Sequence, residues 1–115
     1  MQYVLLIYSD ERIYGPSKAG PALEEAVAKH MAFTKELGAR PVGGAGLKGT
    51  ASATTVRTSQ GAKTVHDGPF AETKEQLGGY YLIDAPDLDA AIAIAKKVPV
   101  PQDAAVEIRP VLSGG

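Results

Sequence analysis

The sequence contains no cysteine. That removes disulfides, thiolate nucleophiles and cysteine-ligated metals from consideration. It has little surplus charge of either sign: 12 Lys and Arg stand against 13 Asp and Glu, interspersed, for a net charge of −1. Nucleic-acid binding draws its affinity from basic faces that neutralise phosphates, so direct contact with nucleic acid is not expected. Long apolar runs are also missing. The run near the start, Tyr3 to Tyr8, is six residues, against the roughly 20 that a membrane helix needs. No positive segment precedes it, as one would in a secretory signal. The expectation is a cytoplasmic protein with no membrane contact. Nucleotide fingerprints are absent too. The glycines Gly43, Gly44 and Gly46 form neither G-x-G-x-x-G nor a P-loop. The serines lack a nucleophile-elbow context. Two histidines 36 positions apart make a poor metal set. Neither a metal nor a cofactor is expected.

What is present is one domain, residues 1–115, with 44% apolar residues, enough for a core. Tyr3 to Tyr8 reads as a strand apolar on both faces. Ser9 to Pro21 reads as loop, marked by Gly15-Pro16 and Gly20-Pro21. From Ala22 to Gly38 the period is helical, and Leu23, Ala26, Val27, His30, Phe33, Thr34 and Leu37 share one arc. Gly38 is a natural helix stop. Arg40 to Leu47 starts a second strand. Thr54 to Thr58 and Lys63 to His66 are β-like runs around the turn Ser59-Gln60-Gly61-Ala62. Thr73 and Gln76 have capping-box spacing, which predicts one helical turn from Thr73 to Leu77. Gly78-Gly79 then releases a strand, Tyr80 to Asp84. Asp87 caps a second helix, Leu88 to Lys97, and Ala105 to Leu112 is the last strand. The order is β-α-β, hairpin, β-α-β, which predicts an α+β, ferredoxin-like split βαβ subunit with an inserted β-hairpin. Two helices cover only one face of such a sheet. The apolar second face predicts a homodimer, the sheet meeting a copy of itself.

His30 is the first candidate for chemistry. It lies in the apolar arc of its helix, and an imidazole suits general acid–base work near neutrality. Asp67 reads first as a turn-forming residue. Facing the cleft, it would orient His30 as a carboxylate orients a catalytic imidazole. His66, beside it, and Phe70, presented on the far side of the Asp67-Gly68-Pro69-Phe70 turn, are candidate ligand contacts. Arg57 and Arg109 lie on strands. Outward they are surface charges of little consequence; inward they would recognise a carboxylate or phenolate.

The stretch DGPFAETKEQLGGYYLID, Asp67 to Asp84, resembles the hallmark of the DGPF group of the YCII-related family. YVLLIYSDE near the start, GLKGTASATTVR from Gly46 to Arg57, and VEIRPV from Val106 to Val111 follow the family's order. The resemblance covers nearly the whole chain. It implies a ferredoxin-like subunit that pairs into a dimeric α+β barrel, and a biochemical activity that is mostly unassigned. Some members carry transcription-initiation or sigma-factor labels, and a distant relative dehydrochlorinates chloroaromatics. The resemblance also implies that His30 in AKHMAFTKEL occupies the place of a suspected active-site histidine. Relatives pair that histidine with an aspartate after the second helix. Here the segment reads Lys97-Val98-Pro99-Val100-Pro101-Gln102-Asp103, a departure from the pattern.

The functional expectation is a small organic ligand, cyclic or aromatic and anionic, bound in the barrel cleft. The chemistry would be cofactor-free acid–base work of the lyase or isomerase kind. The alternative is a non-catalytic regulatory module linked to transcription through a protein partner.

Overall fold

Strand alternation decides where this chain buries its core. In the computed structural model, which describes residues 1–15, 18–38 and 41–112, β1 (Gln2–Ser9) turns Tyr3, Leu5, Ile7 and Ser9 to a sealed face and Val4, Leu6 and Tyr8 to a half-exposed one. Of the two apolar faces of this strand, only one is therefore sealed within a single chain. Leu5 and Ile83 are fully buried. Each such side chain contributes about 1.5–3 kcal/mol relative to exposure.

β1 sits centrally. It pairs antiparallel with β5 (Gln76–Asp84) on one side and β6 (Ala105–Pro110) on the other, and β2 (Pro41–Gly46) completes the sheet beyond β5. The order β2-β5-β1-β6, with α1 (Pro21–Leu37) and α2 (Leu88–Ala95) as connections, is the ferredoxin-like α+β arrangement. The core gathers Phe33 of α1, Ala91 and Ile94 of α2, and Val98 against the sealed face. The inserted hairpin, β3 (Thr54–Ser59) and β4 (Ala62–Asp67), forms a separate two-stranded ribbon, exposed along most of its length.

Local chemistry explains the boundaries. Asp87 caps α2 by accepting from the Ala90 amide at 2.9 Å. Gly38 ends α1 at a positive φ of 67°. The ribbon turn has positive φ at both Gln60 (50°) and Gly61 (80°), the type I′ geometry whose twist matches a hairpin. The Ser9-to-Pro21 connection contains a 3-10 turn, Glu11–Tyr14, capped by Asp10. Pro16 and Arg40, which marked that loop and the start of the second strand, lie outside the described residues.

Two expectations about the signature stretch fail. No helical turn forms at Thr73 to Leu77. The Thr73 hydroxyl donates to the Glu75 carbonyl and the Gln76 side-chain Nε2 donates to the Thr73 carbonyl, so the pair closes a bend on carbonyls and caps no amide of its own segment. Gln76 also accepts from the Glu11 backbone amide at 3.0 Å, which ties the bend to the start of the sheet. Gly78 and Gly79 do not precede a strand but lie inside it, and β5 begins at Gln76. The β1–β5 register shifts beside them, between Ile7 and Tyr8, as a bulge does near glycine.

Candidate functional site

Core-facing positions on β2 and β5 carry few side chains. Gly44 and Gly46 of β2 pair with Tyr81 and Gly79 of β5 in the register that faces α1. Above them α1 buries only Phe33, while Val27 and Met31 remain exposed. The space between helix and glycines is a cleft of about 760 Å³. Its walls include Ile7, Leu23, Ala26 and Val27.

His30 lines this cleft. Its Nδ1 lies 2.7 Å from the Tyr81 hydroxyl. The imidazole stacks beside the phenol ring, with centroids 5.9 Å apart, and Phe33 meets the same ring edge-on at 5.3 Å. The backbone of β2 closes the other side of that ring. A Cβ on Gly44 would come within 2.9 Å of Tyr81 Cδ1, so the absent side chain is what lets the phenol lie there. Thr34, one turn after His30, donates its hydroxyl to the His30 carbonyl at 2.9 Å.

Burial lowers the His30 pKa from its ordinary value, and a hydrogen bond to the Pro99 carbonyl opposes that shift. Burial raises the Tyr81 pKa, and the Thr34 hydroxyl opposes it. Both effects favour a neutral imidazole beside a neutral phenol. No carboxylate of the described residues forms an ion pair with His30.

Lys18, Lys35 and Lys48 also line the cleft, and no carboxylate does among the described lining residues. Lys18 bonds the Leu47 carbonyl at 2.5 Å, and burial lowers its pKa while the Glu11 carboxylate opposes the shift. Glu11 itself is turned to Thr50, accepting from its amide and hydroxyl.

The remaining sequence candidates lie elsewhere. Asp67 and His66 end β4 on the ribbon, both exposed, and His66 Nε2 meets the Thr64 hydroxyl at 3.0 Å. The turn after Asp67 is held by the Gly68 amide on the Ala53 carbonyl at 2.7 Å and the Thr55 hydroxyl on the Gly68 carbonyl at 2.8 Å. Arg57 stacks its guanidinium over exposed Phe70 at 4.9 Å. Arg109 stands opposite Val4 on the half-exposed face of the sheet. The structure thus groups Arg57 with Phe70 and His30 with Tyr81, and neither Arg57 nor Phe70 is among the described residues that line the cleft. The sequence reading missed Tyr81 and the three lysines. Tyr81 carried one usable signal, its alternation with Ile83 on an apolar strand. Among the described residues no group of three or more His, Asp or Glu side chains converges as a metal site would.

Residues 1–113 match the YCII-related domain. The chain belongs to the YCII-related family. It is 36% identical over 115 residues to an uncharacterised protein of Rhizobium meliloti (strain 1021), an alignment covering 96% of this chain and 91% of that one. YCII-related membership agrees with the ferredoxin-like fold and names no reaction. No helix among the described residues is long and apolar enough to cross a membrane.

Proposed function

We propose that this YCII-related chain binds a small organic anion with an apolar, cyclic or aromatic body in the cleft under α1, and performs cofactor-free acid–base chemistry on it through His30. The observation that carries this reading is the lining: three lysines and, among the described lining residues, no carboxylate, on walls that are otherwise mostly apolar, with one imidazole–phenol pair among them. Ligand sites are typically concave and apolar, with a few placed polar groups. A cationic rim selects for charge on the ligand. The test is binding of benzoate against its neutral isostere benzamide, followed by amide chemical shifts of cleft residues. Benzoate should bind at least tenfold more tightly and shift Ala45, Gly79 and Tyr81. Equal affinities, or shifts confined to the ribbon, would sink the reading.

We further propose that two copies pair through the half-exposed sheet face. Val4, Leu6 and Tyr8 on β1, with Leu82 and Tyr80 opposite on β5, present an apolar row there. A second reading, a module that acts through a protein partner, draws support from a different surface. The ribbon exposes the cross-strand pair Val56 and Val65, and Phe70 beyond it. If that surface carries the function, Val56→Ser with Val65→Ser should abolish it while benzoate binding persists.

A further inference from the structure

Where β5 passes Ile7 and Tyr8 it carries one residue more than β1. Ile7 stands opposite Gly79 and Tyr8 opposite Leu77, so Gly78 has no partner in β1. A bulge of this kind re-aims the extra residue, and bulges recur beside active sites. Here the extra residue has no side chain to aim. A Cβ on Gly78 would stand 3.6 Å from Lys18 Nζ, 3.9 Å from the Ile7 carbonyl oxygen and 4.0 Å from Ser9 Oγ. Gly78, Lys18 and Ser9 all line the cleft. The bare bulge thus leaves open a spot that an ammonium and a hydroxyl both adjoin. Both groups are hydrogen-bond donors. They also differ from the rest of the lining. Lys35 and Lys48 are exposed, whereas Lys18 is half-buried. Ser9 is the one buried polar residue among the described residues, at the end of a β1 row that otherwise holds Tyr3, Leu5 and Ile7. Among the described residues no carboxylate forms an ion pair with Lys18. The Glu11 carboxylate is turned to Thr50. An ammonium has three protons to donate, and the Leu47 carbonyl takes one from Lys18. A charge withdrawn from water is costly until it is paired.

We propose that the Gly78 bulge is the carboxylate end of the ligand site, that Lys18 and Ser9 are the residues that select the carboxylate, and that the ligand's opposite end lies at His30 and Tyr81. This rests on the cleft being the ligand site. The carboxylate accepts from the Lys18 ammonium and the Ser9 hydroxyl over the bare glycine. Gly78 and Tyr81 belong to the same strand, and at about 3.3 Å of rise per residue their separation is about 10 Å. Gly79, between them, also lines the cleft, so no side chain of β5 intervenes. A ring attached to the carboxylate runs along this floor. Its far end reaches the imidazole–phenol pair, and any proton chemistry falls on that end. The matching ligand class is an aromatic monocarboxylate with a second polar group, a hydroxyl or a carbonyl, on the side of the ring away from the carboxylate.

Benzoate, benzamide and 4-hydroxybenzoate serve as probes on the intact protein. The first readout is the ratio of benzoate to benzamide affinity, which loss of a purely structural lysine would not change. A hydrogen bond to a charged group is worth about tenfold or more in binding, so Lys18→Met should bring the two affinities close to equal. Lys35→Met and Lys48→Met should each lower the ratio less. If Lys18→Met keeps the wild-type ratio, the proposal is overturned. The second readout is steric. The contacts a Gly78→Ala methyl would make, at 3.6–4.0 Å, are ordinary ones, so this variant should fold and melt as the wild type does. Its methyl fills the spot, and benzoate should bind about tenfold more weakly. Unchanged benzoate binding by Gly78→Ala overturns the proposal. The third is the direction of the bound ligand, read from nuclear Overhauser contacts of 4-hydroxybenzoate. The ring hydrogens beside its hydroxyl should meet the Tyr81 ring, and those beside its carboxylate should meet Gly78; the reverse order overturns the proposal. A wild type that binds benzoate no better than benzamide, or in which no cleft amide shifts, instead removes the underlying reading of the cleft, and this assignment with it.

Discussion

Gly44→Ala is the change that most directly tests how the site is built. An alanine Cβ there would stand 2.7 Å from the Tyr80 carbonyl oxygen, 2.9 Å from Tyr81 Cδ1 and 3.2 Å from Tyr81 Cα. Two of the three atoms are backbone of the neighbouring strand and cannot rotate away. Either β2 parts from β5 or the Tyr81 ring leaves its place between His30, Phe33 and Gly44. Overpacking of this kind costs about 1–3 kcal/mol. Losing the Tyr81–His30 hydrogen bond adds about 0.5–1.5 kcal/mol. Taking about 4 °C per kcal/mol for a domain of this size, the melting temperature should fall by about 6–18 °C. Gly46→Ala is the control. It lies on the same strand, and its Cβ would meet nothing within 4 Å. A glycine in a strand interior is about 0.5–1 kcal/mol less favourable than alanine, so this variant should melt at or slightly above the wild type. Calorimetry reads both. A Gly44→Ala protein that melts within about 2 °C of wild type, with the His30 ring resonances unmoved, would refute the claim that the bare glycine seats the phenol.

Three further outcomes are expected. Burial holds the His30 pKa below its ordinary 6.5, with the Pro99 carbonyl opposing, so the unfolded chain binds that proton more readily; stability is full above 6.5 and falls as pH drops toward the folded value. His30→Gln should flatten that part of a denaturation-against-pH curve, and an unchanged slope would mean the imidazole is not desolvated. Asp87→Ala should lower stability by about 0.5–2 kcal/mol through loss of the α2 cap, read by urea unfolding; no change would show the Ala90 amide to be equally well served by water. Light scattering should give twice the 12.0 kDa chain mass for the wild type, and Leu6→Glu on the half-exposed face should return it to the monomer mass; a monomeric wild type ends the pairing proposal.

Much of the fold was legible because it is written in short-range patterns. The α1 period, the Gly38 stop, the Asp87 cap and the Gln60-Gly61 turn each need only a few neighbouring residues. The signature stretch misled because spacing alone does not say whether Thr73 and Gln76 bond amides or carbonyls. His30 was legible as a candidate from its place in the helical arc, but its partner was not. Tyr81 lies 51 positions away. It faces the helix only because the β1–β5 register pairs it with Leu5, and a slip of one residue would turn it to the opposite face. The lysines come from three separated segments, and no local period relates them.

Among the described residues the β3–β4 ribbon pairs only with itself, and an isolated two-stranded ribbon is marginal in water. It is therefore the part of the chain best able to open and close on its own, independently of the four-stranded sheet. Its Gln60-Gly61 tip lies on an element that supplies no residue to the cleft lining. That makes the tip a natural grafting point. A fluorophore or an affinity sequence inserted between those two residues would ride on a segment whose melting leaves the core intact, and would report on the protein without entering its chemistry.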